Sequence, residues 1–176
     1  AIILIDSAGL HELSLIENFY ISNIFTETLL SKTPSFIMET SLKHNFYNAR
    51  YEVEEILHAQ KVMFYSQDYD SYCHALEKSA KSMRDHSLDL ILKEIVCPVL
   101  IIWGKNDRLL SVELAYLFKK GILNSEMRIY ENCGHIAQLE KYEDFNKDVI
   151  DFILKHKISK ISGLKTLFFG KKKQEI

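Results

Sequence analysis

The sequence predicts an α/β protein in which helices cover a parallel sheet and an all-helical segment interrupts that sheet. Two segments, 1–5 and 99–103, are unbroken runs of apolar residues, as in strands that are buried on both faces of a parallel sheet. A weaker strand is predicted at 127–130, and segments 112–120 and 142–156 carry apolar residues at helical spacing. The alternation of strand and helix predicts a right-handed parallel βαβ unit.

Residues 10–90 follow a different pattern from the rest of the chain. They contain no Gly, one Pro and many aromatic residues, and their apolar positions have a helical period. The period predicts four helices, at 14–30, 35–47, 51–65 and 71–83. A helical insertion between two strands of a sheet is typical of a lid or cap domain. The predicted organisation is therefore a core strand (1–9), a helical lid (10–90), the C-terminal part of the sheet domain (91–156) and a basic tail (157–176).

Composition and charge restrict the kinds of partner. Of the 176 residues 47% are apolar, and the formal net charge of −2 gives no reason to expect nucleic acid as a partner. No apolar run reaches the roughly 20 residues that a membrane-spanning helix requires. The three cysteines, Cys73, Cys97 and Cys133, form no C-x-x-C pair and have no histidine at metal-ligand spacing beside them. We therefore expect reduced thiols, a cytoplasmic location and no metal site.

The C-terminal tail has a charge of its own, with seven lysines and one acidic residue from Lys155 to Ile176. Apolar residues, among them Ile158, Ile161 and Leu164, recur every three residues between these lysines. The pattern leaves two interpretations open. The tail is either a basic amphipathic helix that makes peripheral contact with an anionic membrane, or a terminal helix that packs on the protein with a solvated lysine end.

Two of the predicted strands are followed by polar loops whose residues suit acid–base chemistry. Asp107 ends a W-G-x-x-D motif after strand 99–103, and His135 lies in a G-H pair 28 residues later. The carboxyl ends of neighbouring parallel strands lie at one edge of a sheet, so we expect these side chains to be in contact. The carboxylate would then fix the tautomer of the imidazole and stabilise the imidazolium. Gly134 is expected to allow a tight turn just before the histidine.

Three segments of the chain resemble the lidded α/β-hydrolases. Residues 4–9 (L-I-D-S-A-G) are similar to the strand that precedes the lid in that family. Residues 95–107 resemble its penultimate strand and acid loop, and residues 132–140 (N-C-G-H-I-A-Q-L-E) resemble its histidine loop. The resemblance implies part of an α/β-hydrolase fold, with Asp107 and His135 as the acid and the histidine of a Ser-His-Asp triad and with no cofactor.

The nucleophile of such a triad has no convincing counterpart in this sequence. The family carries it on a G-x-S-x-G elbow, and no such pentapeptide occurs here. Ser7 is a weak candidate, because residues 5–9 (I-D-S-A-G) place the branched Ile5 where the strained turn needs a small residue. Cys133 is weaker still, because it lies beside the histidine in sequence. The resemblance implies that about five strands, the elbow and the oxyanion loop lie upstream of Ala1.

The resemblance leaves three interpretations of the function. The first is a serine hydrolase, similar to esterases and lipases, that cleaves an ester or similar acyl bond of an apolar small molecule. The second is a carbon–carbon bond hydrolase of aromatic ring-cleavage pathways, which Cys133 to Glu140 (C-G-H-x-A-Q-x-E) resembles. Those enzymes usually carry Trp where this chain has Ile136 and Leu139. The third is a non-catalytic remnant or binding module.

The abrupt apolar beginning of the chain carries a further expectation about association. Strand 1–5 starts without a lead-in, as it would if the sequence began inside a larger fold. Without upstream strands its edge and one apolar face are exposed, a state that favours pairing with another chain. We expect this edge to bind either the missing N-terminal half or a second copy of the chain.

Overall fold

The computed structural model describes residues 1–10, 19, 21–23, 25–48 and 51–169, and for residues 51–52 and 158–169 it describes the backbone alone. The beginning of the predicted helix 14–30 and the end of the basic tail, 170–176, lie outside the described residues. Every helix of the described part is too short or too polar to cross a membrane.

Three parallel strands form the sheet, in the order β1 (Ile2–Ile5), β2 (Val99–Gly104) and β3 (Ser125–Tyr130). The three predicted strands are confirmed to within two residues at each end. The central strand β2 is buried along its whole length, as its unbroken apolar sequence predicts. Ile5 pairs with Ile102 and Gly104 pairs with Tyr130, so all three strands end at the same edge of the sheet.

Helices connect β1 to β2. Four of them have bounds within the described residues, namely Glu27–Leu30 (α1), Ser35–His44 (α2), Tyr51–Phe64 (α3) and Tyr69–Asp85 (α4), and residues 19 and 21–23 are also helical. Apolar clusters hold them together, one around Tyr69 and Cys73 and another around Phe46 and Val53. The helices predicted at 35–47, 51–65 and 71–83 are confirmed. The single helix predicted at 14–30 is wrong over its described end, because residues 25–26 form a bend and extended backbone at Thr26 precedes α1. The role of residues 10–90 as a lid stays a prediction.

The C-terminal part of the chain contributes the remaining strands and the helices that pack on the sheet. A 3-10 turn, Leu92–Glu94, leads into β2, and the later helices are Glu113–Gly121 (α5), Ala137–Glu140 (α6) and Tyr142–Phe169 (α7). Helices α5 and α7 confirm the predictions at 112–120 and 142–156. Because α7 continues to Phe169, the backbone of the basic tail is helical as far as that residue.

Alternate residues of β2 build a core on each face of the sheet, because successive side chains of a strand point to opposite faces. On one face Ile101 and Trp103 pack with Phe118 of α5. On the other face Leu100 and Ile102 form a second core with other buried residues, namely Tyr130, Cys133, Ala137 and Phe152. The result is a sheet between two helical layers, and it fixes the positions of the loops that follow the strands.

Candidate active site

The loop after β2 encloses the carboxylate of Asp107. The Oδ1 atom of Asp107 accepts hydrogen bonds from the backbone N–H groups of Leu109 (2.8 Å) and Leu110 (2.9 Å). The indole Nε1 of Trp103 donates a hydrogen bond to the carbonyl oxygen of Leu110 at 3.1 Å, which ties the loop to the strand before it. The side chain of Asp107 is fully buried. Its position is therefore set by the loop before any partner is considered.

His135 completes this arrangement from the loop after β3. Its Nδ1 atom lies 2.8 Å from Oδ2 of Asp107, so the contact expected from the sequence is present. The carboxylate accepts, so Nδ1 carries a proton and Nε2 is the basic nitrogen of the neutral ring. The side chain of His135 is 23% exposed. Within the described part of the chain, Nε2 has no hydrogen-bond partner, which leaves it available to a substrate or nucleophile.

The electrostatic surroundings of His135 favour its protonated form. Burial alone would lower the pKa of His135, because it penalises the charged ring. The hydrogen bond from the ring to Asp107, the charge of Asp107 and the charge of Asp6 all act in the opposite direction. The net effect raises the pKa of His135 above its ordinary value, as suits a base that must hold a proton during a reaction.

The loop before His135 differs in detail from the prediction. The left-handed backbone conformation belongs to Asn132, with φ of 51°, and Gly134 has no positive φ. Gly134 is required for space instead, because a Cβ there would lie 2.3 Å from the carbonyl oxygen of Asn45. The backbone N–H of Asn106 donates to the carbonyl oxygen of Cys133 at 2.8 Å, which joins the acid loop to the histidine loop. The predicted role of Gly134 in a tight turn is thus wrong, and its role is close packing.

Asp6, at the end of β1, belongs to the same site and was missed from the sequence. It is 5% exposed and has φ of 41°, an unusual value for a residue other than glycine. Its Oδ1 accepts from the backbone N–H of Gly104 at 2.9 Å, and its Oδ2 accepts from that of Ala137 at 3.3 Å. Burial raises the pKa of Asp6 to about 6, against the opposing effect of these hydrogen bonds. The carboxyl group thus connects the end of β2, which precedes the acid loop, to the start of α6, which follows the histidine loop.

These features agree with comparisons to known proteins. The sequence profile of the alpha/beta hydrolase fold matches residues 11–142, more than half of the chain. The chain belongs to this family. A 2-hydroxy-6-oxononadienedioate/2-hydroxy-6-oxononatrienedioate hydrolase of Pseudomonas putida is 45% identical over 62 residues, 35% of this chain and 22% of that protein. A hydrolase of the same name from Dechloromonas aromatica is 29% identical over 114 residues, 65% of this chain and 36% of that protein.

Solved structures of other α/β-hydrolases share the fold. A meta-cleavage product hydrolase from Pseudomonas fluorescens has a TM-score of 0.67 and 19% identity, and the match covers 88% of this chain and 55% of that one. An esterase from Exiguobacterium antarcticum has a TM-score of 0.68 and 18% identity, with coverage of 86% and 56%. The chain therefore spans about half the length of these structures and about a third or less of the curated relatives given above.

An α/β-hydrolase also needs a nucleophile, and the described residues do not bring one to His135. The hydroxyl of Ser7 donates to the carbonyl oxygen of Ile5 at 3.4 Å, and no hydrogen bond within the described residues joins Ser7 to His135. Cys133 is completely buried, and burial raises the pKa of its thiol to about 12. A thiol of this kind is a poor nucleophile, because the reactive form is the thiolate. In the described part of the chain, no group of three His, Cys, Asp or Glu side chains is placed to hold a metal ion.

Proposed function

We propose that this chain supplies the general base and the orienting acid of a hydrolase, and that the nucleophile comes from another segment. The observation that carries the proposal is the 2.8 Å contact between His135 Nδ1 and Asp107 Oδ2. The second oxygen of Asp107 is already held by two backbone N–H groups, so the carboxylate cannot turn away from the ring. This leaves Nε2 of His135 as the group that removes a proton.

The proposed reaction uses Nε2 of His135 as the base and Asp107 as the carboxylate that stabilises the protonated ring. Nε2 takes a proton from a serine hydroxyl as the hydroxyl attacks the carbonyl group of the substrate. The imidazolium that forms is stabilised by the buried carboxylate of Asp107 and then gives its proton to the leaving group. Water repeats the sequence and releases the acid. The helical segment 10–90 acts as a lid over this site and excludes bulk water.

Among bond types, we propose a carbon–carbon bond next to a ketone, as in 2-hydroxy-6-oxo acids. The supporting observation is the name shared by the Pseudomonas putida and Dechloromonas aromatica relatives, which are hydrolases of 2-hydroxy-6-oxononadienedioate. An ester or similar acyl bond of an apolar small molecule is the second candidate. The structural likeness to an esterase, with a TM-score of 0.68, favours it, as do Ile136 and Leu139 at positions where the ring-cleavage enzymes usually carry Trp.

Labelling with a fluorophosphonate probe tests where the nucleophile lies. We expect no labelling of the 176-residue chain alone, and labelling when an N-terminal α/β-hydrolase fragment with a G-x-S-x-G elbow is added. His135→Ala should abolish that labelling, whereas His156→Ala, a change in a histidine of α7, should preserve it. Labelling of the chain alone that is lost with Ser7→Ala would make Ser7 the nucleophile. Absence of labelling under every condition would favour the non-catalytic alternative.

A comparison of two substrates distinguishes the bond types. The reconstituted protein would be assayed with 2-hydroxy-6-oxononadienedioate and with p-nitrophenyl butyrate, and kcat/KM compared. We expect the dienedioate to be preferred, and His135→Ala to remove both activities because one base serves both reactions. A preference for the ester would instead support the second candidate.

Two proposals about partners concern the edge of the sheet and the tail. Among the described strands β1 pairs with β2 alone, so its other edge is available, and we propose that the upstream half or a second copy adds a strand there. A compact monomer in ultracentrifugation would count against this.

Membrane contact by residues 157–176 also stays a proposal, as does the cytoplasmic location. Equal pelleting with anionic liposomes, with and without the tail, would remove the membrane proposal.

A further inference from the structure

Glu140 connects the histidine loop to the helical segment. It is the last residue of α6, five positions after His135. Its Oε1 accepts a hydrogen bond from the backbone N–H of Gly134 at 2.7 Å, and its Oε2 accepts one from the backbone N–H of Tyr47 at 2.8 Å. One carboxylate therefore holds two chain segments that are far apart in the sequence. Hydrogen bonds to an ionised acceptor are about twice as strong as those between neutral groups.

Further contacts surround this carboxylate. The backbone N–H of His135 itself donates to the carbonyl oxygen of Asn45 at 2.7 Å. A Cβ at Gly134 would lie 2.3 Å from that same oxygen and 2.7 Å from the nitrogen of Tyr47, so the two backbones are in close contact. Ile136 packs against the cluster of Phe46, Val53 and Leu57 in the helical segment. Residues 45–47 and residues 134–136 thus meet through hydrogen bonds and an apolar contact.

We propose that Glu140 is a positioning residue that anchors the segment 45–47 to the histidine loop and so links the position of the lid to the ring of His135. The inference rests on the proposed role of His135 as the base. Segment 45–47 cannot move away without breaking the hydrogen bonds to Glu140 and to the backbone of His135. Segment 45–47 is therefore the point at which the proposed lid is fixed to the histidine loop.

The contact between Asp107 and His135 depends on how firmly the backbone of the histidine loop is held. The side chain of His135 projects from a backbone that is held on one side by Asn45 and followed by α6, which ends at Glu140. Loss of the Glu140 carboxylate releases Gly134 and Tyr47 together. The ring of His135 then samples positions in which its contact with Asp107 is longer, and the part of its pKa elevation that is due to Asp107 decreases.

Nuclear magnetic resonance on the full 176-residue chain tests this without any need for turnover. Glu140→Gln keeps the size of the side chain but replaces one acceptor oxygen with an amide donor. We expect the exchange protection of the Tyr47 and Gly134 amides to fall by about tenfold or more, and the pKa of His135 to decrease. Glu140→Ala should do both more strongly. The matched control is Glu143→Gln, an exposed glutamate in the first turn of α7, which should change neither quantity.

The outcomes separate a positioning role from a merely structural one. A decrease in protection at Tyr47 and Gly134 together with a lower pKa of His135 supports the proposal. Loss of protection at Tyr47 with an unchanged titration of His135 overturns it. The proposal is also overturned if Glu140→Gln and Glu140→Ala lower the protection of all amides of the chain to the same extent. Because these measurements use neither substrate nor nucleophile, absence of hydrolase activity would count against the proposed function and leave this result intact.

Discussion

The loops that follow β1 and β2 each place a buried aspartate at the same edge of the sheet, but they hold the two carboxylates differently. Asp107 accepts hydrogen bonds from Leu109 and Leu110 of its own loop and faces the imidazole of His135. Asp6 accepts from the backbones of Gly104 and Ala137, which lie 98 and 131 positions away in sequence. Asp107 therefore has a partner that can become a cation, whereas Asp6 has no such partner at hydrogen-bond distance among the described residues.

The difference shows how neighbouring strand ends can give one residue type two roles. Asp107 is positioned locally, so its loop can present a carboxylate to any imidazole at the end of the next strand. Asp6 is positioned by the assembled fold, and its ionisation is opposed by burial, which raises its pKa to about 6. We interpret Asp107 as the chemical partner of His135 and Asp6 as the connection between the two loops. Three measurements test this distinction.

Of the three changes, Asp107→Asn should have the greatest consequence, and it acts on catalysis. The amide cannot accept a hydrogen bond from Nδ1 through its nitrogen and favours the wrong tautomer of His135. We expect the kcat of the reconstituted hydrolase to fall by about 10⁴-fold, the size of effect known for the equivalent change in a serine protease triad. Steady-state kinetics measure this, with Glu113→Gln in α5 as a control that should leave kcat unchanged. A fall of less than about tenfold would remove Asp107 from the proposed role.

Asp6→Asn should change the pH dependence of stability. The folded-state pKa of Asp6, about 6, is higher than the value of 3.8 for an unfolded chain. A raised pKa means that the stabilisation is fully present below pH 3.8 and is lost as the pH rises through about 6. The wild type should therefore lose about 3 kcal/mol of unfolding free energy over this interval relative to the variant.

Urea denaturation of both proteins at several pH values between 4 and 8 measures the difference. We expect the two curves of unfolding free energy against pH to diverge between pH 4 and about 6, with the variant gaining relative to the wild type. Above that interval they should run parallel, because Asp6 is then ionised in both the folded and the unfolded state. Curves that are parallel from pH 4 to pH 8 would show that Asp6 is not responsible for the pH dependence of stability. The difference between the curves at the lowest pH reports the hydrogen bonds to Gly104 and Ala137, which one amide oxygen can only partly replace.

The sequence was informative where the signals are local. Unbroken apolar runs located β1 and β2, and polar residues after the strands located Asp107 and His135, because strand ends of a parallel sheet converge. The contact of these two side chains was expected and is present, while their catalytic roles stay predictions.

Sequence reasoning failed where a role depends on distant partners. Asp6 was overlooked because its partners are set by tertiary packing, although an aspartate directly after an apolar strand was a usable signal. Glu140 binds Tyr47, which is 93 positions away, and no periodicity indicates such a contact. The sequence predicts a tight turn at Gly134, but the crowding by Asn45 that requires a glycine there comes from the helical segment.

The third measurement concerns Trp103, which supports the acid loop locally. Trp103→Phe removes the hydrogen bond from Nε1 to the carbonyl oxygen of Leu110 and leaves a small space in the core on that face of the sheet. We expect the unfolding free energy to decrease by about 1 to 3 kcal/mol. Tyr116→Phe, at an exposed position of α5, is the control and should have little effect.

The titration of His135 in the Trp103→Phe variant then decides how the acid loop holds its carboxylate. The backbone N–H groups of Leu109 and Leu110 still bind Asp107 in the variant, so the pKa of His135 should stay above its ordinary value. A return of that pKa to the ordinary value would mean that Trp103, and with it the core beneath the sheet, positions Asp107. In that case the loop after β2 would depend on the assembled fold as much as the loop after β1 does, and the contrast between Asp107 and Asp6 would lie only in the imidazole that one of them meets.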